Sequence, residues 1–474
     1  MHDQHSWAAS HAGVTPWHLP PPDERVADRA YRAALAYLYE YSRTPRSGAE
    51  IRADHPRKLA RMARLLALCG APQHAYPAVL VAGTKGKGST AAMLASVLKA
   101  GGLRVGRYTQ PHLVSYRERT WVDGAYISSQ DVVALTHELA PLVEAAERAA
   151  PALGHYTTFE VGTALSLLHF ARAGVNLAVV EVGVGGAHDA TNVLDPVASV
   201  IAPISADHLA TIGPTLADVA REKAGVLRPG RPGVVAAQVP EVRRVLRAEA
   251  RRAGAALAWV GRNWRWAPHG EPAAASPFAI DGPDAHHEHL TLPLLGQHQR
   301  ENAALAVACA HALNQAGFRV SAAAIARGLA RVEWPGRVQV LPTEPTVVVD
   351  GAHNAASAAS LRATLADCFP GRALTLVLGC TADKDLAAIV ETLAPAAARA
   401  IATQARHPRA ADAASVARAV AKTGVHATVV PDAARALDQA MAATLPHGLV
   451  VVAGSLFLAG EALAHVAEAS DTRE

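Results

Sequence analysis

The chain has 474 residues, of which 50% are hydrophobic and 18% charged; this excludes a disordered polymer and suits two or three domains with sizeable cores. Aromatics are only 5%, so those cores are built mainly from Ala, Val and Leu. A net charge of +4 and a pI of about 8.9 are too mild over this length to argue for nucleic acid, and an anionic small molecule fits equally well. Cys69, Cys309, Cys368 and Cys380 are scattered and form no C-x-x-C pair, which argues against a zinc ribbon or disulfide framework and for a reducing compartment. No basic-then-apolar leader stands at the N-terminus, and no run reaches the ~18 apolar residues of a membrane helix. The expectation is a soluble cytoplasmic protein with no nucleic-acid or membrane partner.

Residues 1–26 are polar and Pro-rich and are read as a loosely ordered tail. An amphipathic helix is predicted from Ala27, then a loop over RTPRSGAEIRADHP, then a helix over RKLARMARLLALCG. PAVLVAG is a short apolar strand, and STAAMLASVLKAGG a helix with Met93, Leu94, Val97 and Leu98 on its apolar face. LRVGRYT is a strand, FEVGTALSLLHFARAG a helix, VNLAVVEVG and PVASVIAPIS strands, and TLADVAREKAGVL a helix. This alternation predicts a doubly wound parallel sheet. Residues 255–295 change character: Trp259, Trp264 and Trp266 cluster near HHEHL. Antiparallel strands are expected there, with HHEHL a solvated loop. Two helices follow, ENAALAVACAHALNQAG and AAAIARGLARV. The joint WPGR, Trp334–Arg337, leads into a second series with strands TVVVD, ALTLVLG, AIAT, ATVV and LVVVAG. The expected domains are 27–337, with a P-loop-type sheet, and 338–474, a smaller Rossmann-like α/β unit.

The strongest local signal is Gly83-Thr84-Lys85-Gly86-Lys87-Gly88-Ser89, between a predicted strand and a predicted helix. Glycines let the backbone turn several N–H groups onto one anion, the helix start adds positive potential, and the lysines add charge. The literal P-loop pattern fails, because Gly88 separates Lys87 from Ser89. A second cluster runs from Glu181 to Asn192 (EVGVGGAHDATN). An acidic residue at a strand's C-terminal end faces the ligand crevice of such a sheet, and magnesium takes carboxylate oxygens; taken alone, Glu181 is equally an ordinary capping carboxylate. A third cluster is Ser205-Ala-Asp207-His208, with Lys223 fifteen residues beyond His208. The second series places Asp350-Gly-Ala-His353-Asn354, Asp383-Lys384-Asp385, Arg406-His-Pro-Arg409 and Gly454-Ser455 after successive strands. Each alone could be turn chemistry.

These pieces, with YTQPHLVSYRER, TTFEVGTAL, GQHQRENAALA, WPGRVQV and GSLFLAGE in order over residues 81–462, resemble the folylpolyglutamate synthase/dihydrofolate synthase family of the Mur ligase superfamily. The resemblance implies an ATP-dependent ligase joining L-glutamate to a folate or dihydropteroate carboxylate through an acyl phosphate; a monomer is expected, in the cytoplasm that the cysteine usage suits. It implies that Gly83, Thr84, Lys85, Gly86, Lys87, Gly88 and Ser89 hold the ATP phosphates, and that Asn302, Arg337 and Asp350 contact ATP. Gln110, Glu181 and His208 would ligate magnesium. Lys223 matches a lysine that the family carbamylates, suited to a second magnesium. His353 and Ser455 would handle the incoming glutamate, and Lys87, Lys223, Asp350 and His353 form the implied catalytic set. Three positions depart from the family pattern: Gln110 stands where serine is common, Ala187-His188 replace Arg-Leu in a loop near the pteroate end of the substrate, and Ala355 replaces proline. The alternatives are another Mur-superfamily ligase, a P-loop NTPase without an amide product, and a folate-binding paralogue of reduced activity.

Overall fold

The structure, a computed structural model, describes residues 20, 22, 23, 26, 28–41, 47–269 and 277–471; the expected tail lies for the most part outside them. Its first helix is Arg29–Glu40, capped by the Asp28 carboxylate, which accepts from the N–H groups of Ala30 and Tyr31. The second, Gly48–Leu68, begins well before the expected start and contains Pro56. Ser47 and Glu50 form a reciprocal capping box there, a start signal that lies inside the stretch read as a loop from sequence.

Strands β1 (Ala78–Ala82), β2 (Val105–Tyr108), β3 (Thr120–Val122), β4 (Ala125–Tyr126), β5 (Leu177–Glu181), β6 (Pro196–Ile201), β7 (Pro232–Val235) and β8 (Ala256–Trp259) form one sheet in the order β4-β3-β2-β5-β1-β6-β7-β8. Pairing is parallel except for β2 with β3 and β3 with β4. Helices cover both faces, so the central strands read as continuous apolar runs: all five residues of β1 and of β5 are buried. Within β1 the period-two alternation splits the chain between two cores. Leu80 joins Tyr31, Leu38, Met62 and Val180 on one face. Val79 and Val81 join Leu94, Val179 and Val307 on the other. Each such fully buried side chain stabilises the fold by about 1.5–3 kcal/mol.

The region 255–295 differs from expectation in two ways. Its first strand, β8, pairs parallel with β7 at the edge of the large sheet. Only β9 (Arg265–Pro268), β10 (Phe278–Gly282) and β11 (Ala285–Leu290) make an antiparallel sheet, in the order β11-β10-β9. HHEHL is therefore not a solvated loop but most of β11. A register irregularity opposite Phe278–Ile280, with His289 in left-handed backbone, breaks the alternation so that His287 and Leu290 both turn inward, and His287 Nε2 meets His311 Nε2 at 2.9 Å.

The second sheet holds β12 (Gln339–Leu341), β13 (Thr346–Val349), β14 (Leu374–Leu378), β15 (Arg399–Gln404), β16 (Ala427–Asp432) and β17 (Leu449–Ala453) in the order β12-β13-β17-β14-β15-β16. Only β12, which no sequence pattern announced, pairs antiparallel. Helices Ala355–Cys368, Leu386–Leu393, Ala413–Ala421, Ala433–Ala443 and Leu456–Asp471 alternate with the strands. The architecture is α/β: a large doubly wound sheet followed by a smaller Rossmann-like one. Among the described residues no helix is long and apolar enough to cross a membrane.

Candidate active site

The C-terminal ends of β1, β2, β5 and β6 converge where strand order reverses around β1, the place such sheets bind ligands. After β1 the backbone takes positive φ at Gly83 and Gly86. Gly86 is the N-cap of helix Lys87–Ala100 and brings no side chain to bond the first N–H groups, which have no intrahelical acceptor. A side chain at Gly86 is doubly excluded, since a Cβ would lie 2.3 Å from Asn302 Oδ1. Asn302 is buried on helix Gln297–Gln315, held by Gln299 Oε1 at 3.0 Å. The loop is anchored to β6 by reciprocal bonds between Thr84 Oγ1 and the Ser205 backbone, 3.1 and 3.2 Å. Ser89 and Thr90 are buried, and the Thr90 hydroxyl has no partner.

Glu181 closes β5 and is buried. It accepts from Gln110 N–H at 3.1 Å, and Lys87 Nζ stands 3.8 Å away. Burial pushes its carboxyl pKa up, while Lys87, the Gln110 N–H, Arg337 and Arg107 oppose the shift. The Gln110 side-chain nitrogen is buried without a partner. Lys223 is buried, and its ammonium donates to Gly83 C=O at 2.7 Å; burial first, then Lys87, lower its pKa to about 7. His208 is in left-handed backbone, half-exposed, with Nε2 3.9 Å from Asp207. Partial burial lowers its pKa, and facing Lys87, Lys223 and Lys384 reinforce that against Asp207. Of the four expected metal residues, Gln110 and Glu181 meet, Lys223 joins them through the loop, and His208 stands apart beside Asp207. Among the described residues no three His, Cys, Asp or Glu side chains form a metal-ligating group.

The second sheet brings its own rim to the same cleft. Lys85 Nζ donates to Asn354 Oδ1 at 2.5 Å across the gap, and Asn354 caps helix Ala355–Cys368. Asp350 is buried and accepts from Val338 N–H and Ala352 N–H, both at 2.8 Å. His353 holds Gly351 C=O through Nδ1 at 2.8 Å. Burial lowers its pKa; the Gly351 bond opposes this, and Lys384, Arg337 and Lys85 add to it. Ser455 is buried and caps the turn into helix Leu456–Asp471, accepting from Phe457 N–H at 3.1 Å. Arg337 is buried, donating to Gly336 C=O at 3.0 Å, with Asp350 and Glu181 partly offsetting the fall that burial imposes on its pKa.

Sequence reasoning missed three residues here. His298 faces Asp350 and Arg337, and burial lowers its pKa; the available signal was its place one helical turn before Asn302. Trp334 packs so closely on the glycine-rich loop that a Cβ on Gly88 would lie 2.7 Å from its ring. Arg107 is sandwiched between Trp121 and Trp334, at 4.9 and 5.0 Å from the ring centroids. Beside the departing loop, His188 stacks on His55 at 5.1 Å and bonds Glu222 Oε2 at 3.0 Å. It lines an open groove of about 620 Å3 with Arg52, Arg221 and Arg252.

The family model of the Mur ligase middle domain matches residues 81–310, and that of the Mur ligase glutamate ligase domain matches residues 336–456. A dihydrofolate synthase/folylpolyglutamate synthase of Mycobacterium tuberculosis is 36% identical, covering 85% of this chain and 89% of that protein. The folylpolyglutamate synthase of Lacticaseibacillus casei is 32% identical, covering 90% and 97%. Among solved structures, the M. tuberculosis folylpolyglutamate synthase complexed with ADP superposes with a TM-score of 0.82 at 34% identity, over 92% of this chain and 97% of that one. E. coli FolC in complex with DHPP and ADP gives 0.78 at 30%, over 94% and 100%. With these domain matches and relatives, and with a glycine-rich loop, a buried carboxylate and a second polar rim in one cleft, the chain belongs to the folylpolyglutamate synthase/dihydrofolate synthase family of ATP-dependent Mur ligases.

Proposed function

We propose that this ligase joins L-glutamate to the carboxylate of a folate or of dihydropteroate, in the cytoplasm and as a monomer, with residues 27–337 binding nucleotide and 338–474 presenting glutamate. One observation carries the reading: Lys87, Glu181 and Lys223 surround the phosphate loop while Asp350, His353 and Asn354 face it from the other sheet. Phosphoryl transfer asks for positioning and charge neutralisation rather than a protein nucleophile. Gly83 to Ser89 offer backbone N–H groups to the phosphates, Lys87 neutralises charge on the β/γ oxygens, and Arg337 adds a cation from the joint. Asn302 and Asp350 hold the nucleotide.

The residues present fit magnesium. Glu181 offers a carboxylate, and the partnerless Thr90 hydroxyl and Gln110 amide supply neutral donors, the amide through its oxygen after a flip; His208 would swing in from Asp207. Magnesium bound there supplies charge neutralisation for the phosphate oxygens. Lys223, with a pKa of about 7, is half neutral at pH 7. Its free amine can attack carbon dioxide, forming an N–C bond and losing a proton, and the resulting carbamate is an anionic oxygen ligand for a second magnesium. His353 and Ser455 orient glutamate, whose amine displaces phosphate from the acyl phosphate. The test is purified protein with ATP, magnesium and labelled glutamate, offered dihydropteroate and reduced folates in turn. Label should enter an acceptor, and Lys87→Ala should nearly abolish it with the fold intact. ATP hydrolysis without an amide product would reject the reading.

A further inference from the structure

Asp23 falls in the segment that the sequence assigns to a tail, yet its carboxylate is fully engaged. Oδ1 accepts from Tyr31 O–H and from Ser115 Oγ–H, both at 2.7 Å. Oδ2 accepts from Tyr116 N–H at 2.8 Å. Its own N–H reaches Val114 C=O at 3.4 Å. Tyr31 is fully buried, and burial and the Asp23 carboxylate both push its hydroxyl pKa up. Asp23 is thereby bonded to the first helix and to the 110–119 segment at once.

That segment touches both halves of the active site. Thr109 N–H closes it on Arg119 C=O at 3.1 Å, and Gln110 N–H binds Glu181. Leu113 packs partly buried against the core of the second domain. Its carbonyl lies so close to Gly460 that a Cβ there would be 2.3 Å from it. From inside, the buried Glu118 carboxylate takes the N–H groups of Leu113, Val114 and Ser115 at 2.7–2.8 Å. Asp23 is the matching carboxylate from outside. Two anions thus pin a loop with little regular structure, and hydrogen bonds to a charged acceptor are the strong ones.

We propose that Asp23 is a positioning residue for ligation: it fixes the 110–119 loop, and through that loop both the Glu181 side of the phosphate site and the seat of the second domain. The kinetic part of this inference rests on the ligase reading above. Hydrogen exchange of the protein alone provides the first test. Asp23→Ala should speed exchange at Leu113 to Tyr116 and leave β1 and β5 protected. In the ligation assay it should raise the KM for ATP by about tenfold, the scale of one lost charged hydrogen bond, with a smaller change in kcat. Asp23→Asn should restore most of both, because the Tyr31 and Ser115 hydroxyls can rotate to accept from the amide. Ser115→Ala, which removes one of the three Asp23 side-chain bonds together with the longer bond that Ser115 Oγ accepts from Arg117 N–H at 3.4 Å, should shift both readouts in the same direction by less. Unchanged exchange, faster exchange with unchanged KM, or a uniform rise across the first domain without rescue by Asn would each overturn the proposal. The exchange arm reads the strap even if the wild type joins no glutamate, so the two failures are distinguishable.

Discussion

Among single residues, Lys223 has strongly altered chemistry. Its amine is held at a pKa of about 7, against 10.5 in an unstructured chain. The folded state therefore binds its proton more weakly than the unfolded state does. Between pH 7 and 10.5 the unfolded chain carries the extra proton, so this group's contribution to stability rises with pH across that window and is lost as pH falls towards 7. The neutral amine that the proposed carbamylation requires follows the same curve. With 13C-bicarbonate, a carbamate carbon resonance should grow from about pH 6 to about pH 8, around the amine's midpoint, and be missing from Lys223→Ala. A pH-independent signal, or the same signal in the Ala variant, would remove Lys223 from the proposed metal site. The sequence marks this lysine only by its distance from His208. Its reactivity comes from burial and from Lys87, and neither is visible along the chain.

At the level of elements, the turn between β1 and the helix Lys87–Ala100 depends on what packs against it. Replacing a helix glycine by alanine ordinarily gains about 1 kcal/mol. At Gly88 the new methyl would lie 2.7 Å from the Trp334 ring and 3.3 Å from Glu181 Oε2. A rigid indole cannot yield as a flexible chain end does, so overpacking, costing about 1–3 kcal/mol, should win. Gly88→Ala should lower the thermal midpoint, and Trp334→Leu in the same chain should return part of the loss; additive effects would show that the two positions do not couple. The glycine pattern and the apolar runs of β1 and β5 were legible because local periodicity and burial agree there. The start of Gly48–Leu68 was not, because a Ser–Glu pair had to be weighed against Pro56. The pairing of β8 was not either, since a four-residue strand carries no sign of its neighbour. Trp334 on Gly88 and His298 beside Asp350 are contacts between distant positions, which no local pattern encodes.

For the molecule as a whole, the contacts between the two sheets' domains are uneven. Near the joint they are tight: Leu113 C=O packs against Gly460, while its side chain also presses on the joint residue Gly336, 3.2 Å from a Cβ position there. Across the mouth the Lys85–Asn354 bond spans the gap, and Lys85 is partly desolvated there, its pKa lowered to about 8 by burial against the pull of Asp207. Phosphates bound at the loop as proposed would compete for that ammonium. Nucleotide and acceptor together should let the domains close around the acyl phosphate and exclude water. Small-angle scattering should show a smaller radius of gyration with an ATP analogue plus folate than with either alone; identical curves would count against closure.

Trp334 also gives this protein an optical readout. Its indole rests on the phosphate loop at Gly88, has guanidinium groups of Arg107 and Arg337 within 5.0 and 5.8 Å of its ring, and keeps a buried N–H with no acceptor. Indole emission responds to nearby charge and to hydrogen bonding of that N–H. A phosphate chain arriving beside it changes both, so its emission should report occupancy without any attached dye. The chain has seven tryptophans, so the signal is the difference between wild type and Trp334→Phe during an ADP titration. A quench present in the first and lost from the second would make nucleotide affinity measurable in a cuvette, before any acceptor is identified.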